Sequence, residues 1–263
     1  MTVAALAEAL DENMTVHASW IQRHLPGMEV REDLGFVLVD SGLGTDTFNL
    51  ICRTRLAEDD AAERAAAGIA WFRAGGRPFS WWVGPADTPR DLGATLVRLG
   101  LRPVEGETAM AAGIESILPE PLPDGIEVQR VETPAQLREF AAINAANWDP
   151  SDDDVLQFYE RAAPLLLERG APLAFHVAYL RGVPVSTVEV TTAAGIAGIY
   201  NVSTLARWRN RGFASALLRH VLAEARDHGI HRAALQAAPD AAGLYRRLGF
   251  EPIGTITEYK PAP

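Results

Sequence analysis

Three arginines stand within five positions in the stretch RWRNRGFASALL, residues 207–218, and Gly212, the small Ala214 and an apolar run follow at once. The whole chain carries a formal net charge of -10, so this positive charge is local. A helix N-terminus leaves backbone N–H groups unpaired, and the macrodipole adds about half a positive charge there. Gly212 lets a ligand approach the backbone with no Cβ in the way, and Ala214 keeps the first helical turn clear. Arg209 and Arg211 add charge outside that backbone cradle. For the arginines alone, a solvated surface loop is the simpler reading. Placed after a strand, around a glycine and before an amphipathic helix, they point to an anion site whose natural guest is a phosphate or pyrophosphate.

Other chemistry is harder to build. Cys52 is the single cysteine, which excludes an intramolecular disulfide and all-cysteine zinc sites. It falls in FNLICRT, which reads as a strand, and a buried inert thiol is expected. The six histidines are scattered. His228 and His231, the closest pair, flank a glycine with no carboxylate cluster beside them, so no metal is expected.

The arginine loop needs a scaffold, and the sequence from residue 125 supplies one. GIEVQRV reads as a strand, and TPAQLREFAAINAANW as a helix opened by a capping box of Thr133 and Gln136 with Pro134 between them. DDDVLQFYERAAPLL is a second helix. LAFHVAYLRGVPVSTVEVTT reads as a hairpin turned at Arg181-Gly182, with Phe175, Val177 and Tyr179 along one face. AGIYNVSTL is a strand running into the arginine loop. Ala214, Leu217, Leu218, Val221, Leu222 and Ala225 then recur at helical spacing, and Gly229 ends that helix. HRAALQA, DAAGLYRRL and FEPIGTITEY complete a β-α-α-β-β-β-α-β-α-β order, an α/β domain with a mixed sheet.

Three prolines in five positions mark SILPEPLPDG as a semi-rigid linker. The expected domains are therefore 1–116 and 125–263, joined by 117–124. The first half repeats the end of the second in weaker form. TLVRLGLRPVEG resembles LYRRLGFEPIGT, with Gly100 against Gly249 and Pro103 against Pro252, and Leu56 stands against Leu205 at the same offset. One offset shared by separate places suggests a duplication.

Arg209-Asn-Arg-Gly212-Phe-Ala214 resembles the R/Q-x-x-G-x-G/A signature of the GNAT superfamily of acyl-CoA-dependent N-acetyltransferases. GIYNVSTLARWRNRGFASALL resembles that family's fourth strand, pyrophosphate loop and third helix, and LQAAPDAAGLYRRLGF its fifth strand and fourth helix. The resemblance covers roughly residues 125–260 and implies the GNAT fold, in two tandem copies if the duplication holds. It implies acetyl-CoA as co-substrate, with the pyrophosphate on the backbone of Arg209, Asn210, Arg211, Gly212, Phe213 and Ala214. The pantetheine arm would follow Val202, Ser203 and Thr204, whose main chain polarises the thioester carbonyl. Tyr245 matches the tyrosine that protonates the leaving thiolate; by composition alone a core aromatic is the better reading. Ala238 departs from the pattern, since many members carry a polar residue there.

Glu189, between Val188 and Val190, is the candidate general base if it points into the cleft, with an exposed carboxylate as the alternative and water chains to strand carbonyls as the other route for the proton. Trp148, Tyr159, Tyr200 and Asn201 are candidates for the acceptor pocket and equally for packing. The first half lacks this equipment. Glu58, Asp59, Asp60 and Glu63 replace the arginine loop, Glu63 stands where Gly212 does, and Leu96 where Tyr245 does. Acidic groups there cap a helix but repel a pyrophosphate. A degenerate first copy that helps shape the acceptor site, with Trp81 or Trp82 as contributors or as core, is expected.

The resulting expectation is direct acetyl transfer to a primary amine, on a small molecule or a peptide, in a ternary complex. The absence of cysteine from the second half fits direct transfer. The alternatives are a non-catalytic acyl-CoA-binding or partner-binding module, and a transferase using another acyl-CoA or the amine of a thiol metabolite. The acidic balance disfavours nucleic acid and anionic membranes as partners. A homodimer is among the assemblies the sequence allows. The opening MTVAALAEALDENM lacks a basic n-region, and no segment has the roughly 18 to 20 apolar residues of a membrane span, so a cytoplasmic protein is expected.

Overall fold

The computed structural model describes residues 1–104, 106–118, 120–168 and 170–262; Pro119 of the expected linker lies outside them. In chain order the elements are α1 (Val3–His24), β1 (Glu29–Arg31), β2 (Val37–Asp40), β3 (Leu50–Cys52), α2 (Ala61–Gly75), β4 (Ser80–Val83), α3 (Leu92–Arg98), β5 (Leu101–Pro103) and β6 (Glu107–Gly113). They continue with β7 (Ile126–Arg130), α4 (Pro134–Ala145), α5 (Asp153–Leu166), β8 (Leu173–Leu180), β9 (Val183–Ala193), β10 (Ile196–Thr204), α6 (Phe213–Asp227), β11 (Arg232–Ala237), α7 (Ala242–Arg247) and β12 (Glu251–Pro261).

Two compact units result. One holds residues 1–110, 236–242 and 252–263, and the other holds 111–235 and 243–251. The sequence reading placed the closing strand in the second half. Instead β12 pairs antiparallel with β4, Thr257 opposite Val83, and with β5, Tyr259 opposite Pro103, inside the first unit. Alternation along FEPIGTITEY marks a strand but carries no information on which neighbour it takes.

In the first unit, β1, β2 and β3 form an antiparallel meander, and α2 carries the chain from β3 to the parallel β4. Phe36, Leu38, Ile51, Ile69, Phe72, Phe79, Trp81 and Leu96 make its core. In the second unit, β7 to β10 are antiparallel in sequence order, and α6 carries the chain from β10 to the parallel β11. Both hairpin turns use two residues at positive φ, Arg181-Gly182 and Ala194-Gly195, as the right-handed twist of the flanking strands requires. The capping box of Thr133 and Gln136 opens α4 as expected.

Two layers cover the second sheet. Phe140 of α4 and Tyr159 of α5 pack edge-to-face against Phe175 of β8, so α4 and α5 lie over the face that carries Phe175, Thr187 and Glu189. On the other face Leu217, Leu218, Val221 and Leu222 of α6 are buried, and His176 Nε2 meets Glu224 Oε2 of that helix at 3.1 Å. This sandwiching fixes β10, the strand that delivers the arginine loop.

Candidate active site

β10 is held differently on its two edges. Its register with β11 ends at Ile199 opposite Leu235, whereas its register with β9 continues to Thr204 opposite Ser186. A bulge lies between Tyr200 and Ser203, with Asn201 at φ 51°. Past the bulge, the Asn201 carbonyl accepts from Thr187 Oγ1 (3.0 Å), the Ser203 carbonyl accepts from Ser186 Oγ (2.7 Å), and Leu205 N–H donates to the Val185 carbonyl (3.1 Å). All three point toward β9. Because backbone groups alternate along a strand, Val202 and Thr204 turn their N–H and C=O to the opposite edge, where the β11 ladder has ended. The splay therefore leaves a backbone-lined groove edge at Val202 and Thr204.

That edge leads directly to a helix N-terminus. Asn210 and Gly212 take positive φ (61° and 81°), and Gly212 is the N-cap of α6, with no side-chain hydrogen bond to the first turn. The first intrahelical bond here runs from Ala216 N–H to the Gly212 carbonyl, 2.9 Å. The first-turn amides of Phe213, Ala214 and Ser215 are thus the uncapped helix end that binds anions. A Cβ on Gly212 would meet nothing within 4 Å, so the space above the cradle is open to a guest.

The arginines divide their work. Arg209 folds back, and its Nε donates to the Thr204 carbonyl at 3.0 Å, fastening the loop to the strand end. Arg211 and Arg207 lie against the Trp208 ring, 4.9 and 5.8 Å from its centroid, a cation–π arrangement that limits where their charge can go. All three arginines are exposed, on the loop that leads into this uncapped helix end.

The remaining candidates fall in two places. Tyr245 sits on α7, 6% exposed, its ring edge-on to Phe250 at 6.0 Å. Glu189 is 1% exposed and lies on the face covered by α4 and α5. Its Oε1 accepts from Thr191 Oγ1 and its Oε2 from Asn201 Nδ2, each at 2.8 Å. Asn201 Nδ2 also donates to Tyr159 OH at 3.1 Å, and burial together with the Glu189 charge holds that phenol well above its ordinary range, hence protonated. Glu189, the candidate base, is thus held on the face under α4 and α5, bonded to Thr191 and to the bulge residue Asn201. Of the four candidates for the acceptor pocket, Tyr159 and Tyr200 are buried and Asn201 is tied to Glu189, while Trp148 is 45% exposed.

Sequence reading missed Asn144, Asn147 and Thr187. Asn144 Nδ2 reaches Thr187 Oγ1 (3.3 Å), which in turn donates to the Asn201 carbonyl. Ser203 Oγ donates to Asn147 Oδ1 (3.1 Å), which ties the end of α4 to the splayed part of β10. The available signal was the polar triplet Thr187, Glu189, Thr191, alternating with valines on a strand that helices cover on both sides.

The first unit repeats the framework with the groove shut. β3 pairs with β4 only at Leu50 and Ile51, and Arg53 then takes φ 51°, much as Asn201 does. There the following strand returns. Asp87 Oδ1 accepts from Thr54 N–H (2.6 Å), Thr88 N–H donates to the Thr54 carbonyl (3.0 Å), and Leu56 N–H to the Thr88 carbonyl (3.2 Å). Asp87 Oδ2 accepts from Gly84 N–H (2.6 Å). These bonds occupy the backbone edge that stays open at Val202, next to the Thr204 carbonyl that Arg209 takes. Replacing Asp87 with alanine strands the buried Thr54 amide and the half-buried Gly84 amide, and removes one of the three carboxylates that Arg55 meets, leaving it Glu8 and Asp11. A loss of about 2–4 kcal/mol of stability is expected, read as a lower denaturant midpoint.

Among the described residues no group of three or more histidine, cysteine or acidic side chains is placed to hold a metal, and no helix is long and apolar enough to cross a membrane.

Comparison with known proteins matches residues 135–250 to the family model described as "Acetyltransferase (GNAT) family". Among curated proteins, none matches the chain. Several solved structures share the fold. A GCN5-related N-acetyltransferase from Kribbella flavida is similar at 20% identity and TM-score 0.73, with 96% of each chain covered. A functionally unknown conserved protein from Staphylococcus epidermidis ATCC 12228 is similar at 14% identity and TM-score 0.67, covering 90% of this chain and 95% of that one. A tandem GNAT protein from the clavulanic acid biosynthesis pathway is similar at 14% identity and TM-score 0.63, covering 87% and 79%. The chain thus has the mixed α/β GNAT fold, and residues 135–250 are an acyltransferase domain of the acetyltransferase (GNAT) family.

Proposed function

We propose that the second unit transfers an acetyl group from acetyl-CoA directly to a primary amine. One observation carries this reading: the register of β10 opens on the edge that leads, through the Arg207–Arg211 loop, into the uncapped N-terminus of α6. The pyrophosphate lies on the amides from Arg209 to Ala214, and the pantetheine arm follows Val202, Ser203 and Thr204. The Val202 N–H polarises the thioester carbonyl. Preorganised donors of this kind are the usual large term in acyl transfer. The amine nitrogen attacks the carbonyl carbon, the carbon–sulfur bond breaks, Tyr245 gives its phenolic proton to the thiolate, and the amine's proton leaves to water. Glu189 supports the bulge rather than touching the amine. The first unit is a degenerate copy whose groove residues 84–88 have closed.

Trp148 is proposed to face the acceptor. It follows Asn147, which touches the splayed strand at Ser203, and precedes Asp149, Asp152, Asp153 and Asp154. An exposed indole among carboxylates suits a cationic amine. Trp148→Ala is expected to raise the acceptor KM about tenfold and to leave acetyl-CoA affinity unchanged.

The reading is tested by titration calorimetry of acetyl-CoA followed by an amine screen monitoring free thiol. Micromolar binding with turnover on a cationic amine supports it. Binding without turnover on any amine favours a non-catalytic acyl-CoA-binding module, and no binding overturns it.

A further inference from the structure

We propose that Asn201 is a positioning residue for the transfer step, with Glu189 as its anchor: the carboxylate and its partners hold the β10 bulge so that the Val202 N–H stands where the thioester oxygen gains charge. This rests on the acyl-transfer reading above and names residues that such a reading does not itself require.

The bulge is pinned through the side-chain Nδ2 and the carbonyl of Asn201. Its side-chain amide donates to Glu189 Oε2 at 2.8 Å and to Tyr159 OH at 3.1 Å. Its carbonyl accepts from Thr187 Oγ1, itself held by Asn144 of α4. Glu189 is oriented from its other oxygen by Thr191. A non-glycine residue at φ 51° persists only where its surroundings fix it, and Asn is among the residues that tolerate this region. The next residue is Val202, whose N–H and C=O face the open edge. A backbone donor cannot be swapped by evolution through its side chain, so its aim is set by neighbours. A buried carboxylate between two donors is well suited to that task, because hydrogen bonds to an ionised acceptor are short and directional.

The chemistry of the anchor also separates this role from that of a base. A general base must lie within hydrogen-bond reach of the proton it takes, or one water away. Glu189 is 1% exposed and both its oxygens are engaged on the inward face.

The test compares Asn201→Gly, Glu189→Gln and the double variant, in the full chain. Glycine accepts the positive φ and so removes the tether without adding strain. Acetyl-CoA affinity by calorimetry is expected to stay within about threefold of wild type in all three, since the phosphate cradle is untouched. The kcat is expected to fall on the order of 30-fold in each single variant at unchanged acceptor KM, and no further in the double, because the two residues act as one unit. Isotope-edited infrared spectroscopy of bound acetyl-CoA, with 13C at the thioester carbonyl, gives a direct readout. The carbonyl stretch is expected below its solution frequency in wild type and close to the solution value in the variants. Full kcat in Asn201→Gly beside a dead Glu189→Gln would overturn the proposal and return Glu189 to the role of base. An unshifted carbonyl in wild type with turnover intact also overturns it. Failure of wild type to bind or turn over counts against the acyl-transfer reading instead.

Discussion

Replacing Gly212 with glutamate is expected to weaken acetyl-CoA binding by about 100-fold or more while α6 stays folded, which follows from three additive physical effects. Gly212 sits at φ 81°, where a side chain costs about 1 kcal/mol, so the loop populates the conformation that presents its amides less often. The added carbons meet no protein atom within 4 Å of the Cβ, so they project beside the helix end without displacing it. The carboxylate then competes for the same amides that a pyrophosphate would use and repels it, and the sum is about 3 kcal/mol or more. Gly212→Ala separates these parts, since it keeps the strain and the carbons without the charge; about a tenfold loss is expected. Arg209→Ala combined with Arg211→Ala is expected to cost less than Gly212→Glu, because Arg209 already spends its Nε on the Thr204 carbonyl. Calorimetry gives the affinities, and circular dichroism confirms that the helix remains. Binding of the glutamate variant within threefold of wild type would mean that the phosphates do not sit on this helix end.

The same glycine shows why part of the site could be read without a structure. A positive φ at a helix cap, an apolar stripe at Leu217, Leu218, Val221 and Leu222, and the capping box at Thr133 are local, and local chemistry is written in neighbouring residues. The turn at Arg181-Gly182 is legible for the same reason, whereas Ala194-Gly195 falls between two expected strands without being read as a turn, because alanine carries no turn signal. What the sequence hides is pairing. The alternation Thr187, Glu189, Thr191 normally means a wet face, and only the packing of α4 and α5 makes it dry. The partner of β12, the early end of the β10–β11 ladder and the return of residues 84–88 onto Thr54 are all choices between strands far apart in sequence. They decide whether a groove opens, so the open groove of the second unit and the shut one of the first were beyond reach. The acidic loop at 58–63 hinted only at the loss of the phosphate.

Tyr245→Phe is expected to lower kcat about 100-fold, with acetyl-CoA affinity and acceptor KM little changed. A phenol has one proton to give, and proton transfer by a positioned side chain is worth about 10²–10⁴ in rate. Phenylalanine keeps the ring that packs edge-on against Phe250, so the 6%-exposed position is refilled and the fold is retained. The substitution therefore isolates the hydroxyl. If the hydroxyl serves only to stabilise α7, the variant loses melting temperature and keeps its kcat. If it protonates the thiolate, the melting temperature holds and kcat falls, with the burden on breaking the carbon–sulfur bond. A slow bond-breaking step also predicts that 13C substitution at the thioester carbonyl gives a larger kinetic isotope effect in Tyr245→Phe than in wild type. The N-terminal unit supplies the natural comparison, since Leu96, packed in its core at the duplicated position, has the bulk and lacks the proton.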